Sequence, residues 1–221
     1  MRLKTPYEDP NILVIEKPSG ILAHPDKTSK EKTILGWAVK KYPKAELVHR
    51  LDKDTSGVMI IAKNSKAHEF LKKQFMDRTI KKIYHAIVSG DVRNDRGVIN
   101  KPIGRSPRDF RRWLAGRGAR GELREAITEY KVLKRFTDAK GNKFTYVEVR
   151  PKTGRTHQIR VHMKFINHPV VCDSLYNPEG VCPKGIKRLA LHAMSIEFKD
   201  LKGKTIKIES PLPKEFKKVV E

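Results

Sequence analysis

Asp52 stands behind an arginine and ahead of a tight polar turn in the run His-Arg-Leu-Asp-Lys-Asp-Thr-Ser-Gly at 49–57. A carboxylate serves as a nucleophile or base only when it is ionised and aimed. A guanidinium partner favours the ionised form and can hold its geometry through paired hydrogen bonds. An aspartate before Thr-Ser-Gly also caps turns with no chemistry at all, and from this segment alone the two roles stand level. Asp52, Asp54 and Gly57 resemble the opening of a calcium loop. The twelfth position of such a loop needs a bidentate glutamate and here holds Lys63, so calcium is excluded. A two-metal nuclease built on Asp52 and Asp54 would need a further acidic cluster, and none is evident along the chain.

Other residue types with chemical capacity sit in two later segments. Tyr84 lies in Lys-Ile-Tyr-His-Ala-Ile-Val-Ser-Gly (82–90), and Arg155 and Arg160 lie in Pro-Lys-Thr-Gly-Arg-Thr-His-Gln-Ile-Arg-Val-His-Met (151–163). A tyrosine in a strand is ordinarily a half-buried packing residue, although a phenol can also stack on a base and relay a proton. The plainer role of Arg160 is a helix-surface charge. Thr153-Gly154 makes a turn into a helix start, a place where backbone N–H groups can meet phosphate.

These residues need elements to hold them. Residues 11–25 read as a short strand, a Pro-Ser-Gly turn and another extended piece. Leu51 and the apolar run Val58–Ala62 flank the Thr-Ser-Gly turn, so Asp52 is expected on a loop between ordered segments. Asn64 or Ser65 caps a predicted helix with Ala67, Phe70, Leu71 and Phe75 inward. Over 82–90, Tyr84, Ala86 and Val88 are predicted to share one strand face and Ile83, His85 and Ile87 the other. Strand character returns at Thr128–Leu133 and Thr145–Arg150. Thr156 is the predicted cap of a helix to about Ile166, with Ile159, Met163 and Ile166 inward. Met194, Ile196 and Phe198 alternate, as do Ile206 and Ile208, which predicts a closing hairpin. Strands joined by hairpins rather than by βαβ units indicate an α+β fold with a largely antiparallel sheet.

Segment 101–124 differs in composition. It holds eight Lys/Arg against two acids, with Gly116, Gly118 and Gly121 interspersed, and places Phe110 and Trp113 among the arginines. That composition suggests a long mobile loop, in which Arg111, Arg112 and Arg117 are candidate contacts for a polyanion. The whole chain of 221 residues carries a formal charge of +23. Such a charge repels itself unless a polyanion offsets it, which makes nucleic acid the natural partner and an anionic membrane surface the second choice. A charge-rich thermostable surface is the plainer explanation. No run is long enough to span a bilayer, and Pro6, Glu8, Asp9 and Pro10 interrupt any signal-peptide core. Cys172 and Cys182 make no disulfide framework for a domain this large, and with His168 or His192 they fit no common zinc spacing. A soluble protein of the reducing cytoplasm is expected.

Taken together, and in this order, the segments 49–57, 82–90 and 151–163 resemble the signature segments of the RluA-type family of RNA pseudouridine synthases. The resemblance runs from about Asp9 to about Pro213. It implies the pseudouridine synthase catalytic fold, with a largely antiparallel mixed sheet and a central RNA-binding cleft, in one catalytic domain spanning 1–221. It implies that Asp52 is the catalytic carboxylate and that Arg50 fills the space left by an extruded nucleotide. Tyr84 then lies against the target base. Arg160, or less favourably Arg155, pairs with the aspartate. In Arg-Leu-Ala-Leu-His-Ala (188–193), Leu191 becomes the apolar residue packed against the site. His49 belongs to the motif without an evident chemical role. Cys172 and Asn177 depart from the glycines usual in relatives. The small N-terminal RNA-binding domain of longer members is expected to be absent, leaving RNA grip to Arg111, Arg112 and their neighbours.

The expected activity is isomerisation of specific uridines in structured ribosomal or transfer RNA, by a monomer and without membrane, metal or nucleotide cofactor. The absence of a phosphate-binding loop or dinucleotide fingerprint agrees with this. The alternative is a non-catalytic RNA-binding or assembly factor. Charge and the basic segment would serve it equally, but RNA binding alone does not call for Asp52, Tyr84 and Arg160 in their motifs.

Overall fold

The computed structural model describes residues 1–25, 32–116 and 118–221. In chain order the elements are β1 (Tyr7–Glu8), β2 (Ile12–Lys17), α1 (Ile34–Lys41), β3 (Glu46–Leu47), β4 (Ser56–Ala62), α2 (Ser65–Met76) and β5 (Lys81–Ser89). There follow β6 (Arg96–Asn100), β7 (Ile103–Arg105), β8 (Trp113–Ala115), β9 (Arg120–Arg124), β10 (Ile127–Thr137) and β11 (Lys143–Pro151). The chain closes with α3 (Gln158–Phe165), β12 (Leu191–Lys199), β13 (Thr205–Glu209) and α4 (Lys214–Val220). Two compact units result: Met1–Lys82 with Ala193–Pro211, and Ile83–His192 with Leu212–Glu221. The mixed α+β class is as the sequence indicated. No helix among the described residues is long and apolar enough to cross a membrane.

In the first unit the strand order is β1-β2-β4-β12, with β3 also on β4 and β13 on β12. Ile12–Ile15 of β2 and Val58–Ala62 of β4 are almost wholly buried. Strands covered on both faces read as continuous apolar runs rather than alternating ones, which is why these segments lack period-two patterning. They pair antiparallel, Ile12 opposite Ala62 and Glu16 opposite Val58. Helix α2 packs on this sheet through Ala67 and Leu71. Its cap is Asn64, the first of the two predicted candidates, whose side chain accepts the Ala67 N–H at 2.9 Å. Burying Leu71 contributes roughly 1.5–3 kcal/mol. The predicted closing hairpin is present, with Ile196 opposite Ile208 and Phe198 opposite Ile206. The predicted second extended piece after the Pro-Ser-Gly turn forms no strand in residues 21–25.

In the second unit the order is β5-β11-β10-β6, with antiparallel pairs. Ala86, Ile87 and Val88 are all buried, so this stretch of β5 is covered on both faces despite its alternating sequence. Helix α3 begins one residue later than the Thr156 cap predicts. The residue before it, His157, takes a left-handed conformation at φ 56° and offers no capping hydrogen bond. As expected, Ile159 and Met163 point into the core, while Ile166 is the half-buried C-cap.

The basic segment is corrected most. In place of a long loop, β7, β8 and β9 form a three-stranded antiparallel sheet. Ile103, Ala126, Val161 and Tyr176 make a small core against which Trp113, Ala115 and Leu175 pack, joining the sheet to α3. Ile103, Trp113 and Ala115, spaced irregularly among cations, are what the segment itself contributes to that packing. Cys172 and Cys182 are also corrected: they are bonded to each other, their Cα atoms 5.4 Å apart. The chain reverses between them, with Cys172 itself at φ 56° and a turn that ends in the Gly180 N–H to Asn177 carbonyl bond.

Candidate functional site

In the first unit Asp52 lies half-buried on a turn between β3 and β4, with Arg50 exposed and Leu51 anchored at 5% exposure. The Thr55 N–H closes the turn on the Asp52 carbonyl at 3.2 Å. Thr55 and Ser56 are buried, and Gly57 has φ +113°. A Cβ at Gly57 would stand 2.2 Å from the Ala193 carbonyl oxygen, so any side chain there would push the turn away from β12. The glycine of the Thr-Ser-Gly signature is thus a steric requirement of the turn that carries Asp52.

A second clamp went unread in the sequence. Lys17 ends β2 at 1% exposure, and its ammonium donates to the carbonyls of Pro18 (3.0 Å), Ile21 (2.7 Å) and Lys53 (2.7 Å). A buried ammonium is tolerated only where acceptors replace its water. The Lys53 carbonyl also accepts the Gly20 N–H at 2.9 Å, and the Ser19 hydroxyl donates to the Asp54 carbonyl at 2.7 Å. The Lys-Pro-Ser-Gly turn therefore grips the backbone on the C-terminal side of Asp52. The available signal was a lysine closing an otherwise apolar strand.

In the second unit Tyr84 is half-buried on β5, opposite Val149 of β11. It packs against the core cluster to which Leu191, Ile159 and Met163 also belong. Leu191, at 3% exposure, is the first residue of β12. Arg160 is 7% exposed on α3, and its guanidinium meets Asp173 at two points: Nε to Oδ2 at 2.7 Å and Nη2 to Oδ1 at 2.8 Å. Asp173 Oδ1 also accepts the N–H groups of Leu175 and Tyr176, each at 3.0 Å. The Tyr176 ring lies 5.0 Å from the guanidinium carbon. Sequence reading missed Asp173, although an aspartate followed by Ser-Leu-Tyr is a turn signal. Arg155 is engaged elsewhere, donating from Nε to the Glu125 carbonyl at 2.9 Å.

The remaining polar residues of 151–163 hold the helix in place. Gln158 accepts from the Thr153 hydroxyl (2.7 Å) and the Arg155 N–H (2.9 Å), and donates to the Ile127 carbonyl and the Thr128 hydroxyl. His162 donates from Nε2 to the Lys101 carbonyl, which leaves Nδ1 to accept from the Thr128 hydroxyl at 2.8 Å. Burial holds its imidazole below the usual histidine range. A fully bonded buried network fixes one arrangement, and this one sets the helix that bears Arg160.

On the three-stranded sheet, Arg111 grips Asp109 through Nε (3.0 Å) and Nη2 (2.9 Å), and Arg112 Nε lies 3.4 Å from the same carboxylate. Hydrogen bonds from Arg111 hold the Asp109 carboxyl down at about 2. Two of the predicted polyanion contacts thus share one counter-charge, and Arg117 lies outside the described residues. Phe110 is 81% exposed beside them, and Arg105 sits over the Trp113 ring at 4.9 Å.

Residues 11–165 match the family described as RNA pseudouridylate synthase. An uncharacterized RNA pseudouridine synthase of Bacillus subtilis, YlyB, is 36% identical over 100% of this chain and 73% of its own length. A ribosomal large subunit pseudouridine synthase D of Neisseria meningitidis is 38% identical over 96% of this chain; the chain spans 59% of that protein. Among solved structures, human RNA pseudouridylate synthase domain containing 1 superposes with a TM-score of 0.81 at 26% identity, covering 96% of this chain and 84% of that one.

Proposed function

Because the chain belongs to the RNA pseudouridylate synthase family, a family of isomerases, we propose that it converts defined uridines of structured ribosomal or transfer RNA to pseudouridine. The observation that carries the reading is the family match through residues 11–165, which takes in Asp52, Tyr84 and Arg160. The same match supports treating 1–221 as one catalytic domain. The reaction breaks the N1–C1′ bond, turns the base and joins C5 to C1′. C5 gives up its hydrogen as a proton, and N1 gains one, so atoms and electrons balance without a redox or nucleotide cofactor.

A stacked uracil is out of reach, and extruding it costs a few kcal/mol. In this reading Arg50, exposed at the start of the turn, fills the vacated space, since a planar guanidinium both stacks and carries charge. Asp52 acts on the nucleotide, at C6, at C1′ or on the C2′ proton. Tyr84 stacks on the base, and Arg160, held by Asp173, supplies the fixed positive charge of the site. The three-stranded basic sheet grips RNA, its arginines meeting phosphates and Phe110 offering a stacking face. The cytoplasm is the proposed compartment and a monomer the proposed state. In the cytoplasm the Cys172–Cys182 bond is open to reduction, and no role given to Asp52, Tyr84 or Arg160 depends on it.

The name of the Neisseria relative makes large-subunit ribosomal RNA the first substrate to try. Incubating the protein with ribosomal and transfer RNA transcripts and mapping pseudouridine by carbodiimide adducts should reveal discrete modified positions. Adducts at no position in either RNA, with binding intact, would favour the RNA-binding alternative.

A further inference from the structure

His49 precedes Asp52 by three residues, and its side chain turns back to β4. Its Nε2 accepts the backbone N–H of Ile60 at 2.9 Å, eleven residues along the chain. Its ring stacks on Phe75 of α2, with centroids 4.9 Å apart and planes at 28°. Strand β3 pairs with β4 at Glu46–Ala62 and Leu47–Ile61, a register that would set Val48 opposite Ile60. Instead the pairing ends at Leu47, and the imidazole takes over the Ile60 N–H where the backbone departs into the turn.

We infer that His49 is a positioning residue for Asp52, an uncharged anchor that fixes the N-terminal side of the catalytic turn to β4 and α2 as Lys17 fixes its C-terminal side. The inference rests on the synthase reading for its catalytic consequence, though not for its structural one. Accepting a hydrogen bond at Nε2 requires that nitrogen to be unprotonated, so the ring proton of the neutral form resides on Nδ1. Although an edge of His49 reaches solvent, burial, with Lys82 nearby, pushes the ring down to about 3. The anchor therefore stays neutral wherever the protein would work. Arg50 and Asp52 sit within three residues of it, so a shift of the anchor moves both the inserting arginine and the carboxylate.

Two substitutions separate the parts of the anchor. His49→Gln keeps an acceptor at the distance of Nε2 but loses the stacked ring. His49→Leu keeps apolar bulk on Phe75 and leaves the Ile60 N–H without its acceptor. A displaced reacting group of about 1 Å costs on the order of 10²-fold in rate. For His49→Leu a fall in kcat of that order is expected, with KM nearly unchanged and hydrogen exchange at 50–55 accelerated. His49→Gln should recover most of the rate and most of the protection. Exchange in α2 and β2 reports whether each variant is folded. Wild-type kcat in His49→Leu, or wild-type protection at 50–55 in that variant, would overturn the inference. Absence of turnover in the wild-type protein would sink the synthase reading instead, and exchange at 50–55 would still decide whether His49 holds the turn.

Discussion

Arg160 and Asp173 form a two-point ion pair in which the side chains retain 8% and 0% of their exposure. The aspartate's remaining capacity is taken by the Leu175 and Tyr176 N–H groups. Removing one partner of such a pair costs more than the pair itself contributes, because a charge stays behind in the interior. Asp173→Ala is expected to destabilise the protein by about 3 kcal/mol, read from urea unfolding. Asp173→Asn, which keeps an oxygen for the two N–H groups, should cost less. A loss below about 1 kcal/mol for the alanine variant would show that this contact does not organise the helix.

Asp109 offers a test of the basic sheet in both directions. Converting Arg111 and Arg112 to glutamine should lower the slope of log affinity for RNA against log salt, by about 0.7 for each lost single-strand phosphate contact. Asp109→Asn should do the opposite, freeing both arginines and tightening RNA binding at low salt, an advantage that fades as salt rises. Equal affinities for Asp109→Asn and wild type at low salt would mean that the two arginines do not meet RNA.

Acid should weaken the fold through His49. Its imidazole is held at about 3 in the folded protein against 6.5 when free. The unfolded chain therefore binds the extra proton first, so stability is full above about pH 6.5 and is lost as pH falls toward 3. The loss from this residue is at most about 1.4 kcal/mol per pH unit, less for the part of the ring that water reaches. His85 and His162, also held low by burial, add the same sign. Denaturant unfolding at pH 7 and pH 5 should show a smaller acid loss in His49→Gln than in wild type. Equal losses would contradict the assignment of a neutral, accepting His49.

Much of this was legible in the residues themselves. Asn64 capped where it was expected to, and the Ile196 and Ile206 pairs closed the hairpin, because local periodicity and capping act over a few residues. What escaped was non-local. Lys17 reads as a strand-end charge until Lys53, thirty-six residues on, supplies a carbonyl. Asp173 means little until a helix thirteen residues earlier brings Arg160 to it. The basic sheet was mistaken for a loop because its small core borrows Val161 and Tyr176 from distant segments, leaving only Ile103, Trp113 and Ala115 as local evidence. Thr156 failed as a cap because Gln158 and Thr153 already hold that turn, and His157 enters the helix through a left-handed residue.

The most direct test of the central claim follows the hydrogen on C5 of uridine, which must leave when C5 becomes the glycosidic carbon. RNA carrying tritium at that position, prepared separately as ribosomal and transfer transcripts, would be incubated with wild type and with Asp52→Asn, and release to water counted. Replacing the carboxylate by an amide keeps the shape and removes the charge. The predicted result is release by wild type and none by Asp52→Asn, with the variant still binding RNA. Equal release by both proteins would remove Asp52 from the chemistry and contradict the account.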